Sequence, residues 1–174
     1  MADRISELIS EELINAKVRA LGERISREYT GKTVHLVCIL KGSIFFTCEL
    51  AKRITVPVTI DFMSVSSYDS GTVSSGKIKI KKDLDESIEG KHVIIIEDII
   101  DSGRTLSRLV PLLQERKPAS IEVATLLDKP DRREFDVEVK YTCFSIPDKF
   151  VVGYGLDYDQ KYRDLPYVGV VEID

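Results

Sequence analysis

The stretch from Val93 to Leu106 constrains the fold of this chain more than any other part of the sequence. It opens with Val93-Ile94-Ile95-Ile96, a run without polar alternation that predicts a strand buried on both faces, as in a parallel sheet. Two acids, Glu97 and Asp98, follow where this strand should leave the core, and a small-residue turn, Asp101–Thr105, comes next. Apolar residues then recur with helical spacing, at Leu106, Leu109, Val110 and Leu113.

A strand, a polar turn and a helix in this order predict an anion site. Backbone N–H groups and hydroxyls of such a turn point at the anion, and the start of the helix dipole favours negative charge. Adjacent carboxylates accept hydrogen bonds from vicinal hydroxyls and also bind Mg²⁺. A phosphate site beside a diol site matches a 5-phosphorylated ribose. The alternative interpretation is structural: Glu97 and Asp98 would only end a strand and favour a helix N-terminus.

Strands and helices alternate along the rest of the chain. Apolar spacing predicts an opening amphipathic helix from Ile5 to Ile25, broken near Gly31. Further strands are predicted at Val34–Leu40, Val58–Val65, Lys77–Lys81, Ile121–Leu127, Val137–Phe144 and Val168–Ile173. This alternation predicts an α/β fold with a mainly parallel central sheet flanked by helices.

A second strand ends in a similar turn, Leu40-Lys41-Gly42-Ser43, before a predicted helix from Ile44 to Arg53. Ser43 is placed to cap that helix, and Lys41 could be a solvated lysine. Two such turns in one sheet nevertheless favour a second anion site. Lys129 follows another predicted strand, so it either faces the same crevice or is a surface lysine.

Composition disfavours several classes of protein. The net charge of −4 argues against nucleic acid or an anionic membrane as the main partner. No apolar run approaches the length of a membrane span, so a cytoplasmic protein is expected. The cysteines Cys38, Cys48 and Cys143 form no CxxC pair and are predicted to be buried reduced thiols. His35, inside a buried strand, is predicted to be a packed structural residue.

Val93–Leu106 resembles the phosphoribosyl-pyrophosphate-binding motif of type I phosphoribosyltransferases, which has an apolar strand, two acids, two apolar residues and Asp-Ser/Thr-Gly-x-Thr. Ser102 and Arg104 stand where relatives carry Thr or Lys, and they preserve the donors and the charge. Other segments resemble the hypoxanthine-guanine members of that family: a pyrophosphate loop at 40–43, a mobile-loop signature at Ser67-Tyr68, a base-binding hood at 148–154 with 157–158, and the segment 162–165.

The resemblance implies a type I phosphoribosyltransferase fold in a single domain, residues 1–174. Its core would span about 30–145. Its hood would combine about 146–174 with N-terminal residues, and its mobile loop would span about 66–80. The implied activity is Mg²⁺-dependent transfer of the 5-phosphoribosyl group from phosphoribosyl pyrophosphate (PRPP) to N9 of hypoxanthine or guanine, yielding IMP or GMP and pyrophosphate. Such enzymes assemble as homodimers or homotetramers.

The resemblance also implies the roles of individual residues toward PRPP. The 5-phosphate would be held by the cradle, Asp101, Ser102, Gly103, Arg104 and Thr105. The ribose hydroxyls would be fixed by Glu97 and Asp98, directly or through Mg²⁺. Pyrophosphate would be bound by Leu40, Lys41, Gly42 and Arg163, and the peptide between Leu40 and Lys41 can be cis in this family.

On the purine side, the resemblance implies contacts from Lys129, Phe150, Val151 and Asp157. Phe150 would stack on the base, Lys129 would donate to the 6-oxo group, and Asp157 would hold a second Mg²⁺. Asp101 would act as general base at purine N7. The loop that begins at Ser67 and Tyr68 would close to exclude water.

Two alternatives share the fold. A xanthine-preferring phosphoribosyltransferase would differ only in base selectivity. An RNA-binding regulator of pyrimidine genes would need a strongly basic face, which the acidic balance of this chain disfavours.

Overall fold

The computed structural model describes residues 4–67 and 77–172 of the chain. In chain order, the elements are β1 (Arg4–Ile9), α1 (Glu11–Glu28), β2 (Val34–Ile39), α2 (Ile44–Ala51), β3 (Val58–Ser67), β4 (Ile78–Lys82), β5 (His92–Ile100), α3 (Arg104–Gln114), β6 (Ser120–Asp128), a 3₁₀ turn (Pro130–Arg132), β7 (Tyr141–Ser145), β8 (Val151–Val152) and β9 (Val168–Glu172).

The larger sheet has six strands in the order β4-β3-β2-β5-β6-β7. Only the β3–β4 pair is antiparallel, and β4 lies at the edge, where its alternating lysines meet solvent. The central strand β5 carries the run Val93–Ile96, which is fully buried. Helices α1 and α2 pack on one face and α3 on the other, so each face has its own apolar core. The predicted α/β class with a mainly parallel sheet is confirmed.

The smaller sheet has three antiparallel strands in the order β1-β9-β8. It corrects the prediction of a helix from Ile5, because residues 4–9 form β1 and pair with β9, with Arg4 opposite Glu172. The helix begins only after Ser10, whose Oγ accepts a hydrogen bond from the Leu13 N–H at 3.2 Å. The partner strand lies at the other end of the chain, so local spacing cannot reveal it.

Three smaller expectations also need correction. The strand predicted at Val137–Phe144 is β7, Tyr141–Ser145, and Val137 packs on the α3-side core from outside any strand. Ser43 occupies the N-cap position of α2, but its hydroxyl donates to the Ile39 carbonyl instead of capping the helix. All three cysteines are free thiols, yet Cys48 is exposed on α2.

Both histidines of the chain lie near the amino-terminal ends of the parallel strands. His35 is buried, as predicted for a packed residue, with Nδ1 2.6 Å from Thr59 Oγ1. His92, the first residue of β5, has Nδ1 2.8 Å from Ser120 Oγ. Within the described ranges, no helix is both long and apolar enough to cross a membrane.

Candidate active site

A cleft of about 330 Å³ opens at the carboxyl end of β5, where parallel α/β sheets bind ligands. Its polar lining consists of Glu97 and the whole turn Asp101–Thr105. Its apolar lining consists of Ile39, Val65, Ile99, Ile100 and Leu106. The structure therefore brings the predicted cradle and one of the two acids into one cavity.

Hydrogen bonds within the cradle and from a neighbouring segment fix its backbone. Gly103 has φ +81° and occupies the N-cap position before α3, and Ser102 Oγ accepts a hydrogen bond from the Arg104 N–H at 3.2 Å. The N–H groups of Glu134 and Phe135 both donate to the Ser102 carbonyl at 2.9 Å. The backbone of the turn is thus held from two sides, and the first turn of α3 meets the cleft with the end of its dipole that favours an anion.

Glu97 and Asp98 form a carboxylate pair at the end of β5. Burial raises the pKa of Glu97 well above its usual range, and repulsion from Asp98 adds to this effect. Burial also raises the pKa of Asp98 to about 6, although its hydrogen bond from the Ile99 N–H, at 2.7 Å, and the charge of Arg163 oppose the shift. Burial therefore disfavours negative charge on both carboxyl groups, and a bound cation would stabilise their ionised forms.

The second turn meets this pair directly. The peptide bond between Leu40 and Lys41 is cis. A Cβ atom added to Gly42 would overlap the Oδ2 atom of Asp98, and one added to Gly155 would overlap the Gly42 carbonyl oxygen. Gly42 therefore lies between the carboxylate pair and the C-terminal segment, with no room for a side chain.

Two cations predicted to bind pyrophosphate lie together beside Gly42. Lys41 Nζ and Arg163 Nη2 each donate to Gln160 Oε1 at 3.2 Å. Arg163 Nη1 donates to the Gly155 carbonyl at 2.7 Å, and its Nη2 lies 3.4 Å from Asp157 Oδ1. Gln160 is a residue that sequence reasoning missed, because nothing in its local pattern marks it.

Lys129 is a buried lysine and not a surface one, with 8% of its area exposed. Its Nζ lies 3.5 Å from Asp101 Oδ1 and 3.8 Å from Asp148 Oδ1. The Asp101 side chain is about half exposed, so it remains open to a ligand. Lys129 thus joins the cradle to the segment that begins the predicted base site.

The remaining predicted base-site residues lie on that C-terminal segment. Phe150 is 46% exposed, and its ring meets that of Tyr158 edge-on, with ring centroids 5.6 Å apart. Val151 is buried in β8, where it pairs with Val170. An exposed aromatic ring beside a second one offers an apolar surface for a flat base.

Arg133 is another residue that the sequence did not single out. Its Nε donates to the Asp101 carbonyl at 3.3 Å, and its Nη2 pairs with Asp128. It therefore ties the cradle to the end of β6. Ser67 ends β3, whereas Tyr68 and the rest of the predicted mobile loop up to residue 76 lie outside the described residues.

The carboxylates of this site would bind a hard cation such as Mg²⁺ only together with oxygen atoms from a bound substrate. Within residues 4–67 and 77–172, no three His, Cys, Asp or Glu side chains converge as a ready-made metal site. Glu97 and Asp98 offer two adjacent carboxylates, and Mg²⁺ is commonly held by one or two carboxylates with phosphate oxygens from the substrate. Asp157 is already engaged by Arg163 and by the Gln160 N–H, at 2.9 Å.

Comparisons with known proteins agree with this geometry. Residues 5–159 match the family model of the phosphoribosyl transferase domain. The chain is 53% identical to a hypoxanthine-guanine phosphoribosyltransferase of Streptococcus thermophilus, over 95% of this chain and 92% of that protein. Its fold matches a hypoxanthine phosphoribosyltransferase of Staphylococcus aureus with a TM-score of 0.92 at 51% identity, covering 96% and 91% of the two chains.

A hypoxanthine-guanine phosphoribosyltransferase of Bacillus anthracis, solved with a HEPES molecule in its active site, gives the same TM-score of 0.92 at 46% identity and covers 97% of this chain and 100% of its own. Sequence and fold thus identify relatives of the same kind along nearly the whole chain. The chain belongs to the phosphoribosyltransferase family and, within it, to the hypoxanthine-guanine phosphoribosyltransferases.

Proposed function

We propose that this chain transfers the 5-phosphoribosyl group from PRPP to N9 of hypoxanthine and guanine, releasing pyrophosphate, as a purine-salvage enzyme. The observation that carries the proposal is the meeting of two anion-binding turns, 40–43 and 101–105, at one carboxylate pair. PRPP has phosphate groups at both ends of a ribose diol, and this arrangement offers a partner for each part. The 5-phosphate would lie in the cradle, the hydroxyls at Glu97 and Asp98, and the pyrophosphate at Lys41, Gly42 and Arg163.

The chemistry follows from where charge develops. As the bond from C1 to pyrophosphate breaks, the ribose becomes oxocarbenium-like and the leaving group gains negative charge. Lys41 and Arg163, held 3.2 Å from one shared oxygen, would stabilise the leaving group in a position set before the reaction begins. Mg²⁺ at Glu97 and Asp98 would supply additional positive charge on the pyrophosphate oxygens.

Asp101 is proposed as the general base. The purine loses its N7 proton as N9 attacks, and a carboxylate at the edge of the cradle can accept it. The buried Lys129 ammonium, 3.5 Å from that carboxylate, would donate to the 6-oxo group of the same base. Phe150 would stack on the purine and the Val151 backbone would complete recognition. Asp157 would hold a second Mg²⁺ through carboxylate lone pairs that its contacts with Arg163 and the Gln160 N–H do not use.

Water must be kept from the activated ribose, and we propose that the loop beginning at Ser67 and Tyr68 closes for this purpose. We further propose a cytoplasmic homodimer or homotetramer. The division into a core of about 30–145 and a hood from about 146–174 with N-terminal residues is also a proposal. It is supported by β1 joining β9 and β8 in one small sheet.

A spectrophotometric assay with PRPP, Mg²⁺ and one purine at a time tests the proposal. Turnover of hypoxanthine and guanine without adenine is expected, and a marked preference for xanthine would support the xanthine-specific alternative. Lys129→Ala should raise the KM for the base and leave that for PRPP near its original value. Folded protein that turns over no purine, yet is retained on a heparin column, would instead support the RNA-binding regulator.

A further inference from the structure

We propose that Gln160 is a positioning residue that holds Lys41 and Arg163 together as one pyrophosphate-binding pair. This inference rests on the proposed function and adds a residue to it. Gln160 Oε1 accepts a hydrogen bond from Lys41 Nζ and another from Arg163 Nη2, each at 3.2 Å. The two cations come from segments more than 100 residues apart, and this amide oxygen lies between them.

The shared acceptor opposes a physical tendency of the pair. An ammonium and a guanidinium that approach one another repel. Arg163 is also held by the Gly155 carbonyl and by Asp157, so without the shared acceptor the Lys41 side chain would move away from it toward solvent. An amide oxygen with two lone pairs can accept from both groups at once. Because the amide is neutral, it brings the cations together without cancelling the positive charge that an anion would bind.

The turn that carries Gln160 is itself fixed. The Gln160 N–H donates to Asp157 Oδ2 at 2.9 Å, and the residue has φ +64°. The other carboxylate oxygen of Asp157 lies 3.4 Å from Arg163 Nη2. The backbone hydrogen bond does not depend on the side chain at position 160, so the turn should survive its replacement.

The arrangement leaves donors for the ligand. An ammonium has three N–H groups and a guanidinium has five, so one shared acceptor exhausts neither group. Gln160 therefore has no need to leave when pyrophosphate binds. Because the side chains of Lys41 and Arg163 are already ordered, less conformational entropy is lost when pyrophosphate binds.

Gln160→Ala is the first test, with Mg²⁺-pyrophosphate binding measured by titration calorimetry beside steady-state kinetics. We expect the pyrophosphate Kd and the KM for PRPP to rise roughly tenfold, because both shared hydrogen bonds are lost and the ligand must then order the two cations itself. The KM for hypoxanthine should change by less than about twofold, because a purely positioning loss on one substrate leaves the other unaffected. Asp159→Ala is the matched control, since Asp159 lies in the same turn with φ +51° and should bind pyrophosphate normally.

Gln160→Glu separates positioning from simple packing. It keeps the size of the side chain but adds a negative charge that binds both cations and competes with pyrophosphate. Its pyrophosphate Kd should exceed that of Gln160→Ala at low salt, and the gap should narrow as salt screens the added charge. If Gln160 only stabilised the fold, both substitutions would lower thermal stability, and the pyrophosphate Kd values of the two variants would not differ in a salt-dependent way.

Two outcomes distinguish the inference from the function on which it rests. If Gln160→Ala binds pyrophosphate as tightly as the unaltered protein, Gln160 is not a positioning residue, although the proposed reaction stands. If the unaltered protein neither binds pyrophosphate nor uses PRPP, the proposed function itself fails.

Discussion

The phosphate cradle and the small three-stranded sheet are supported in different ways. The cradle follows directly from β5, a strand with neighbours on both sides and four fully buried residues in its run. The small sheet joins strands from opposite ends of the described chain, and one of them, β8, has only two residues. The backbone just after β8 runs close to other backbone, because a Cβ added at Gly155 would overlap the Gly42 carbonyl and one added at Gly153 would overlap the Tyr167 carbonyl.

This difference suggests a division of tasks. A cradle anchored to the centre of a sheet presents its donors in a constant position, as charge stabilisation requires. A small sheet held by a few close approaches can be perturbed without unfolding the core. Changes in the cradle should therefore alter catalysis first, and changes in the small sheet should alter stability or base affinity first.

The largest effect is expected from Asp101→Asn, which tests the cradle alone. Removing the proposed general base should lower kcat by roughly 10²–10⁴-fold, because that is the usual contribution of such a group. The KM for PRPP should stay nearly constant, since the cradle backbone remains. Rapid kinetics with saturating substrates would measure this, with Asp131→Asn as an exposed control. A near-normal kcat would remove Asp101 as the base.

The contact between the 40–43 turn and the segment that follows β8 is tested by Gly155→Ala. A Cβ there meets the Gly42 carbonyl, and the residue has φ +98°, so steric overlap and backbone strain add together. We expect urea denaturation to show a loss of about 3 kcal/mol in the free energy of unfolding. Gly31→Ala is the matched control, with φ +79° but nothing within 4 Å of the added Cβ, and should lose only about 1 kcal/mol. Equal losses would mean that strain alone matters.

The carboxylate pair should make the stability of the folded protein depend on pH. The pKa of Asp98 is about 6 in the folded protein, above its ordinary value of 3.8, so folding favours the protonated form. Stability should be greatest below about pH 4 for this group and should decline as the pH rises through about 6, by about 1–3 kcal/mol. Urea denaturation in EDTA, comparing Asp98→Asn with the unaltered protein, should show the difference between them growing with pH. Parallel pH profiles would contradict the assignment.

The smallest effect is expected from Phe150→Leu in the C-terminal segment. Loss of the stacking ring should raise the KM for hypoxanthine roughly threefold to tenfold, because aromatic pairs contribute about 1 kcal/mol beyond their buried area. Steady-state kinetics with each substrate varied in turn would show this against an unchanged KM for PRPP. If both KM values rise together, the ring supports the fold of the segment and not the base.

The difference between a contiguous cradle and a small sheet of distant strands also explains what could be predicted from the sequence. The cradle is contiguous, so the order of strand, acids, turn and helix indicated both the structure and its location. Strand β1 was wrongly predicted as helix because its partner, β9, begins at Val168. Gln160 and Arg133 gave no signal, because their roles depend on contacts with residues that only the fold brings near.

The position of the two histidines has a consequence for kinetics. The chain contains 2 histidines, and His35 and His92 both lie at the amino-terminal edge of the large sheet, away from the cleft. No imidazole is therefore available to shuttle protons at the reaction centre, in contrast to many enzymes that work near neutral pH. An acid limb in the pH–rate profile would have to be assigned to carboxyl groups. Reagents that modify imidazole should accordingly leave the chemical step intact.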